Sequence, residues 1–118
     1  MAYFQAWFVA WTITMIVEGL VSLLVLWGCR ESVRRGAVAA WAMTLFAANL
    51  THPVLWLVVG PGSSVPVVLA AEGIIALVET MVWRTFTART ASPWLIALAV
   101  GLGCNAVSFA AGLIAFAG

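Results

Sequence analysis

Four long apolar stretches, at about 5–28, 37–60, 65–87 and 93–117, leave almost nothing of this chain for water. A helix rises 1.5 Å per residue, so about 20 apolar residues cross the ~30 Å hydrocarbon core of a bilayer. Each stretch reaches that length. A soluble fold fails on composition: 65% of the 118 residues are hydrophobic and 8% are charged, against about 25% charged residues in an ordinary soluble domain. A domain of this size has too little interior to hide so much apolar surface. The expected fold is therefore all-α, a polytopic four-helix transmembrane bundle forming one domain over 1–118, with the lipid bilayer as its first partner. A net charge of +1 and the lack of a basic run argue against a nucleic-acid partner.

The first stretch reads as a true span and not as a cleaved signal peptide. No positive segment precedes it, it is too long, and its arginines follow the apolar run. Cys29 falls at a helix end and Cys104 in mid-helix, which predicts no disulfide between them.

All five basic residues are arginines: Arg30, Arg34 and Arg35 between the first two stretches, Arg84 and Arg89 around the junction of the last two. Both places fall on one side of a four-pass chain. The loop on the other side, Gly60 to Pro66, carries no charge. The positive-inside rule then puts the Arg-rich loops in the cytoplasm and both termini outside, in a multi-pass membrane protein. Arg84 is expected to cap its helix end and not to pair with Glu79. Trp7, Trp11 and Trp56 lie near the outer ends of the spans and Trp27, Trp41, Trp83 and Trp94 near the inner ends, the placement of interfacial anchors. Gly28, Gly36, Pro61 and Ser92-Pro93 mark the helix breaks. The loops are short, which makes successive helices up-down neighbours.

A few residues are out of place in lipid: Glu18, Asn49, His52, Glu72, Glu79 and Asn105, with Thr14, Ser22, Thr51 and Ser108 nearby. An ionisable side chain at bilayer depth costs roughly 2.5–3.5 kcal/mol on insertion scales, so it faces the bundle interior and finds a partner. Their spacing lets each helix present one polar stripe. Thr14, Glu18 and Ser22 follow i, i+4, i+8; Asn49 and His52 are i, i+3; Glu72 and Glu79 are i, i+7. Ala97, Gly101, Asn105, Ser108 and Gly112 form a stripe that is also a small-residue packing face. Counting residues predicts two layers: Glu18, Asn49, Asn105 and Glu79 near mid-depth, and an outer layer pairing His52 with Glu72. Pro53 has no N–H, so it should kink the second span and deprive the Asn49 carbonyl of its helical partner. In lipid that carbonyl needs a replacement.

His52 and Glu72 offer metal ligands in type, although one histidine with no well-placed cysteine is a thin zinc set. The same groups suit proton relay, or acid–base hydrolysis with Glu72 or Glu79 as base and Asn side chains as oxyanion donors. No G-x-S-x-G, H-E-x-x-H or phosphate loop is present. Three function classes stay open: a subunit of a larger membrane complex or a homo-oligomer, a minimal proton- or cation-handling bundle, and an intramembrane hydrolase or transferase acting on a lipid or membrane peptide.

The run Asn49-Leu50-Thr51-His52-Pro53, then Glu72 and Glu79, then Asn105-Ala106-Val107-Ser108-Phe109, resembles a family of small bacterial four-span membrane proteins. The resemblance covers the second to fourth spans. It implies an inner-membrane protein in which these polar residues act as a unit, and it implies no particular activity. In size, and in carrying a glutamate in the first span, the chain is also similar to small multidrug-resistance transporters. That likeness would make Glu18 the proton-exchanging carboxylate of a dimeric, proton-coupled exporter. The residues around Glu18 depart from that family's motif, and His52, Glu72 and Glu79 are additions to it.

Overall fold

The computed structural model describes residues 2–28, 37–60, 62–88, 90 and 92–116. Cys29, Arg30, Arg34, Arg35, Gly36, Pro61 and Arg89, which carry much of the topology argument, lie outside the described residues. Five helices are present: α1 (Ala2–Gly28), α2 (Ala37–Asn49), α3 (Thr51–Val58), α4 (Val65–Phe86) and α5 (Pro93–Phe116). No strand occurs among the described residues. Four spans are long and apolar enough to cross a membrane: Phe4–Gly28, Val38–Val58, Val65–Phe86 and Pro93–Ala111. The second of them contains both α2 and α3. The chain is a multi-pass, all-α membrane protein built as a four-helix bundle, about 43 Å along its longest axis. That length matches the roughly 40–45 Å of a bilayer with its headgroups.

Each span runs antiparallel to the spans it packs against. Trp11 meets Asn49 and Ser22 meets Trp41, so residue numbers rise on α1 as they fall on α2. The α5 helix meets α1 through Cys104 and Glu18, and Thr87 bonds to Pro93 at the tight turn between α4 and α5. The α5 helix packs on both α1 and α4, while α2 bridges α1 and α4. The four spans therefore close into a ring.

Leu26, Leu45, Trp83, Ile96, Ala97, Val100 and Cys104 fill the apolar part of the interior. Large apolar side chains such as Phe4, Leu57 and Ile114 point outward, as they do where the solvent is hydrocarbon. Close approach between α4 and α5 depends on Gly101. A Cβ there would lie 2.9 Å from the Thr80 Cα and backbone N, inside van der Waals contact, so the small-residue stripe works as a packing face.

The helix of the second span is interrupted beside Pro53, although Leu50 keeps an αR backbone (φ −66°, ψ −16°). Leu50 forms a turn between α2 and α3, and its N–H is shared between the carbonyls of Phe46 (3.2 Å) and Ala47 (3.3 Å). Pro53, three residues on, cannot donate to Asn49 and its ring crowds that carbonyl. The replacement donor is an indole: Trp11 Nε1 donates to the Asn49 carbonyl at 3.2 Å.

The reading of the tryptophans as interfacial anchors needs correction. Trp83 is fully buried in the core, edge-on to Phe86. Trp41 donates to Ser22 Oγ at 3.0 Å, and Trp11 is engaged as described. Trp27 and Trp94 do lie exposed. Position along a helix sets depth but not the face: the Trp11 and Trp41 indole N–H groups find acceptors inside the bundle, while the Trp83 Nε1 is buried without a protein acceptor. Arg84 sits in the last turn of α4 with its guanidinium 5.1 Å from the centre of the Trp94 ring. It occupies the helix end and is not ion-paired with Glu79.

Candidate functional site

Three helices deliver three titratable side chains to one point inside the bundle. Glu18 comes from α1, His52 from the first turn of α3, and Glu79 from α4. His52 Nε2 lies 3.6 Å from Glu18 Oε1 and 3.6 Å from Glu79 Oε1. Each of the three offers a ligand atom within 4.8 Å of the other two. Both glutamates are 0% exposed and His52 is 8% exposed.

The surrounding hydrogen bonds hold one side of each carboxylate. Asn49 Nδ2 donates to Glu18 Oε2 at 2.8 Å and to the Leu45 carbonyl at 3.0 Å. Thr51 Oγ1 lies 3.3 Å from Glu79 Oε1 and donates more tightly to the Ala48 carbonyl at 2.7 Å. Several other buried polar atoms lack protein hydrogen-bond partners: Glu18 Oε1, Glu79 Oε2, His52 Nε2, Asn49 Oδ1 and Asn105 Nδ2. A separation of 3.6 Å is too long for a hydrogen bond between imidazole and carboxylate. At 3.6 Å the imidazole and carboxylates are within ion-pair distance of one another, and buried groups so placed are of the kind that a shared proton, water or ion satisfies.

Glu18, Asn49, His52 and Glu79 thus form one cluster, and Asn105 stands beside it, within interaction range of both Glu79 and Glu72. Ser108 is buried but turns back to the Asn105 carbonyl at 3.1 Å on its own helix. Glu72 is half-buried and within electrostatic range of His52 and Glu18. It does not form the His52 pair expected from the sequence. The metal-capable group is Glu18, His52 and Glu79, and the two expected layers merge at His52.

The reason is side-chain direction. Helical side chains lean toward the N-terminus of their own helix. On antiparallel neighbours those leanings are opposed, so side chains whose Cα atoms differ in depth can still meet. Residue counting locates Cα atoms about 1.5 Å apart per position and misses this convergence. Thr51 and Trp11 are the residues whose roles sequence reasoning misses. The sequence marks Thr51 only as a polar neighbour of His52, and Trp11 only as an anchor.

Cys104 lies against the cluster without joining it. Its thiol donates to the Glu18 backbone carbonyl at 3.4 Å and is free of any disulfide. A groove of about 400 Å³ opens on the outer surface between α2–α3 and α4, lined by Leu50, Thr51, Val54, Ile75 and Val78 among others. Thr51 belongs to both the groove and the cluster. The chain matches no protein-family model, no curated protein and no solved structure, so its function has to be argued from these residues.

Proposed function

We propose that this protein is a minimal cation-handling bundle, in which Glu18, His52 and Glu79 take up and release a cation inside the membrane. One observation carries the reading: His52 Nε2 stands 3.6 Å from an oxygen of each carboxylate, and among the described residues no Arg or Lys side chain pairs with either glutamate. A structural cluster of this depth would be expected to use neutral amides, which cost less to bury than carboxylates. Access runs along α4. Glu72 lies seven residues before Glu79, about 10 Å nearer the Gly62–Ser64 end, and its half-buried carboxylate is a stepping point between that end and the cluster.

The test is ion movement in reconstituted liposomes with an internal pH dye and an imposed gradient. The wild type should pass a pH-dependent signal that Glu18→Gln and Glu79→Gln each reduce at least tenfold. A signal equal to that of empty liposomes, with or without added divalent metal ions, would end the reading.

A second reading, an intramembrane enzyme acting on a lipid, is favoured by the groove. It would hold an acyl chain against Thr51, one hydroxyl away from Glu79. Its check is mass spectrometry of vesicle lipids incubated with the protein. A lipid profile unchanged over hours, and identical to that with His52→Ala, rules it out.

A further inference from the structure

We infer that the cation held by Glu18, His52 and Glu79 is a divalent first-row transition metal of the zinc class, bound by one imidazole nitrogen and two carboxylate oxygens. The inference rests on the cation-handling reading and names the ion. Geometry is the first argument. On a tetrahedral ion with bonds of about 2.1 Å, neighbouring ligand atoms stand on the order of 3.4 Å apart. The two nitrogen–oxygen separations here are 3.6 Å, close to that spacing, and all three ligand atoms lie within 4.8 Å of one another, so the three side chains need only close in on one ion.

Charge is the second argument. Two carboxylates and a neutral imidazole carry −2, and a divalent ion makes the sum zero. No Arg or Lys side chain joins the cluster among the described residues: Arg84 is occupied at the α4 end over Trp94. A neutral sum is the arrangement that burial in a medium of low dielectric favours.

The third argument is the outer layer of hydrogen bonds. Metal-binding carboxylates are themselves hydrogen-bonded by neighbours that fix their orientation. Asn49 Nδ2 holds Glu18 Oε2 and leaves Oε1, the oxygen nearest His52, free of hydrogen bonds, while the Glu79 oxygen nearest His52, Oε1, lies 3.3 Å from Thr51 Oγ1. His52, more than nine-tenths buried, places between the two carboxylates an Nε2 that makes no hydrogen bond. The imidazole selects against Mg²⁺ and Ca²⁺, which favour all-oxygen sites. Three protein ligands leave a position open, the pattern of a site that exchanges its ion or a water.

The experiment is titration of the metal-stripped, full-length protein in mild detergent with Co²⁺, followed by displacement with Zn²⁺. The expected result is one Co²⁺ per chain, visible absorption bands of a low-coordinate ion, and loss of those bands on adding Zn²⁺. Glu18→Gln, His52→Ala and Glu79→Gln should each weaken Co²⁺ binding at least 100-fold. X-ray absorption at the zinc edge of the wild type should report one imidazole and oxygen neighbours, which keeps the proposal testable even where a variant does not fold.

Absence of stoichiometric Co²⁺ or Zn²⁺ binding by the wild type overturns the inference. So does binding that survives all three substitutions but is lost with Glu72→Gln. If metal binding is absent while the carboxylate-dependent proton signal in liposomes persists, the metal is wrong and the cation-handling reading stands. If both are absent, both fall.

Discussion

At the scale of single residues, the structure divides its polar groups into those that hold the fold and those that the fold holds. Trp11 belongs to the first kind: its indole N–H meets the carbonyl that Pro53 leaves without a helical donor. Trp11→Phe keeps an aromatic ring and removes the N–H. It should destabilise the bundle by about 1 kcal/mol, between the usual cost of an unmet buried acceptor and the smaller values found within membranes. Reversible unfolding in mixed micelles measures this, and a change below a few tenths would show that another donor replaces it. Glu18 and Glu79 belong to the second kind. Two buried carboxylates facing one imidazole are a burden on stability when their cation is absent. Glu18→Gln and Glu79→Gln should therefore raise the stability of the metal-free protein by about 1 kcal/mol while removing cation handling, the usual exchange between a functional site and the fold that carries it. If both variants were instead less stable than the wild type by a similar margin, the carboxylates would be structural ties and the cluster would have no functional claim.

At the scale of elements, the interruption of the second span beside Pro53 is expected to help position His52 in the cluster. Pro53→Ala restores the N–H that Asn49 lacks and allows α2 and α3 to run on as one helix. The interruption at Leu50 should then close and shift His52 relative to Glu18 and Glu79. Thermal stability should rise or hold, while metal affinity falls at least tenfold in the same Co²⁺ titration; unchanged affinity would mean that the interruption does not position His52. The opposite pattern is expected at Gly101, where α4 and α5 touch. Gly101→Ala puts a methyl group against the Thr80 backbone, and overpacking of this kind costs typically about 1–3 kcal/mol. These two sites also mark what could be read from residue order. Apolar length sets the spans, Pro53 sets the break between α2 and α3, and the Ala97–Gly101–Asn105 stripe sets a close contact, because each follows from local chemistry along one helix. The partner of His52 does not, since it depends on how three helices lean together. Nor does the burial of Trp83, because a tryptophan near a helix end can turn toward either side.

At the scale of the whole molecule, orientation decides which compartment the site faces, and the described residues leave that to the arginines and the connecting loops. The uncharged turn of Gly62 to Ser64 and the turn after α4 lie at opposite ends of the bundle, since α4 runs from one to the other. The charge asymmetry of the sequence predicts the first outside and the second in the cytoplasm. Ser64 and Ala88 are exposed at those two ends, and the Ser64 side chain makes no capping bond to α4, so each accepts a cysteine with little loss. In a background carrying Cys29→Ala and Cys104→Ala, Ser64→Cys should react with a membrane-impermeant maleimide in intact bacterial cells. Ala88→Cys should react only after permeabilisation. The reverse labelling would invert the protein, and with it the direction in which Glu72 leads. Glu72 stands on the Ser64 side of Glu79, so the outside-facing assignment makes the exterior the source or destination of the cation. The inverted one would make the same three side chains a site filled from the cytoplasm, with identical geometry and the opposite physiological sense.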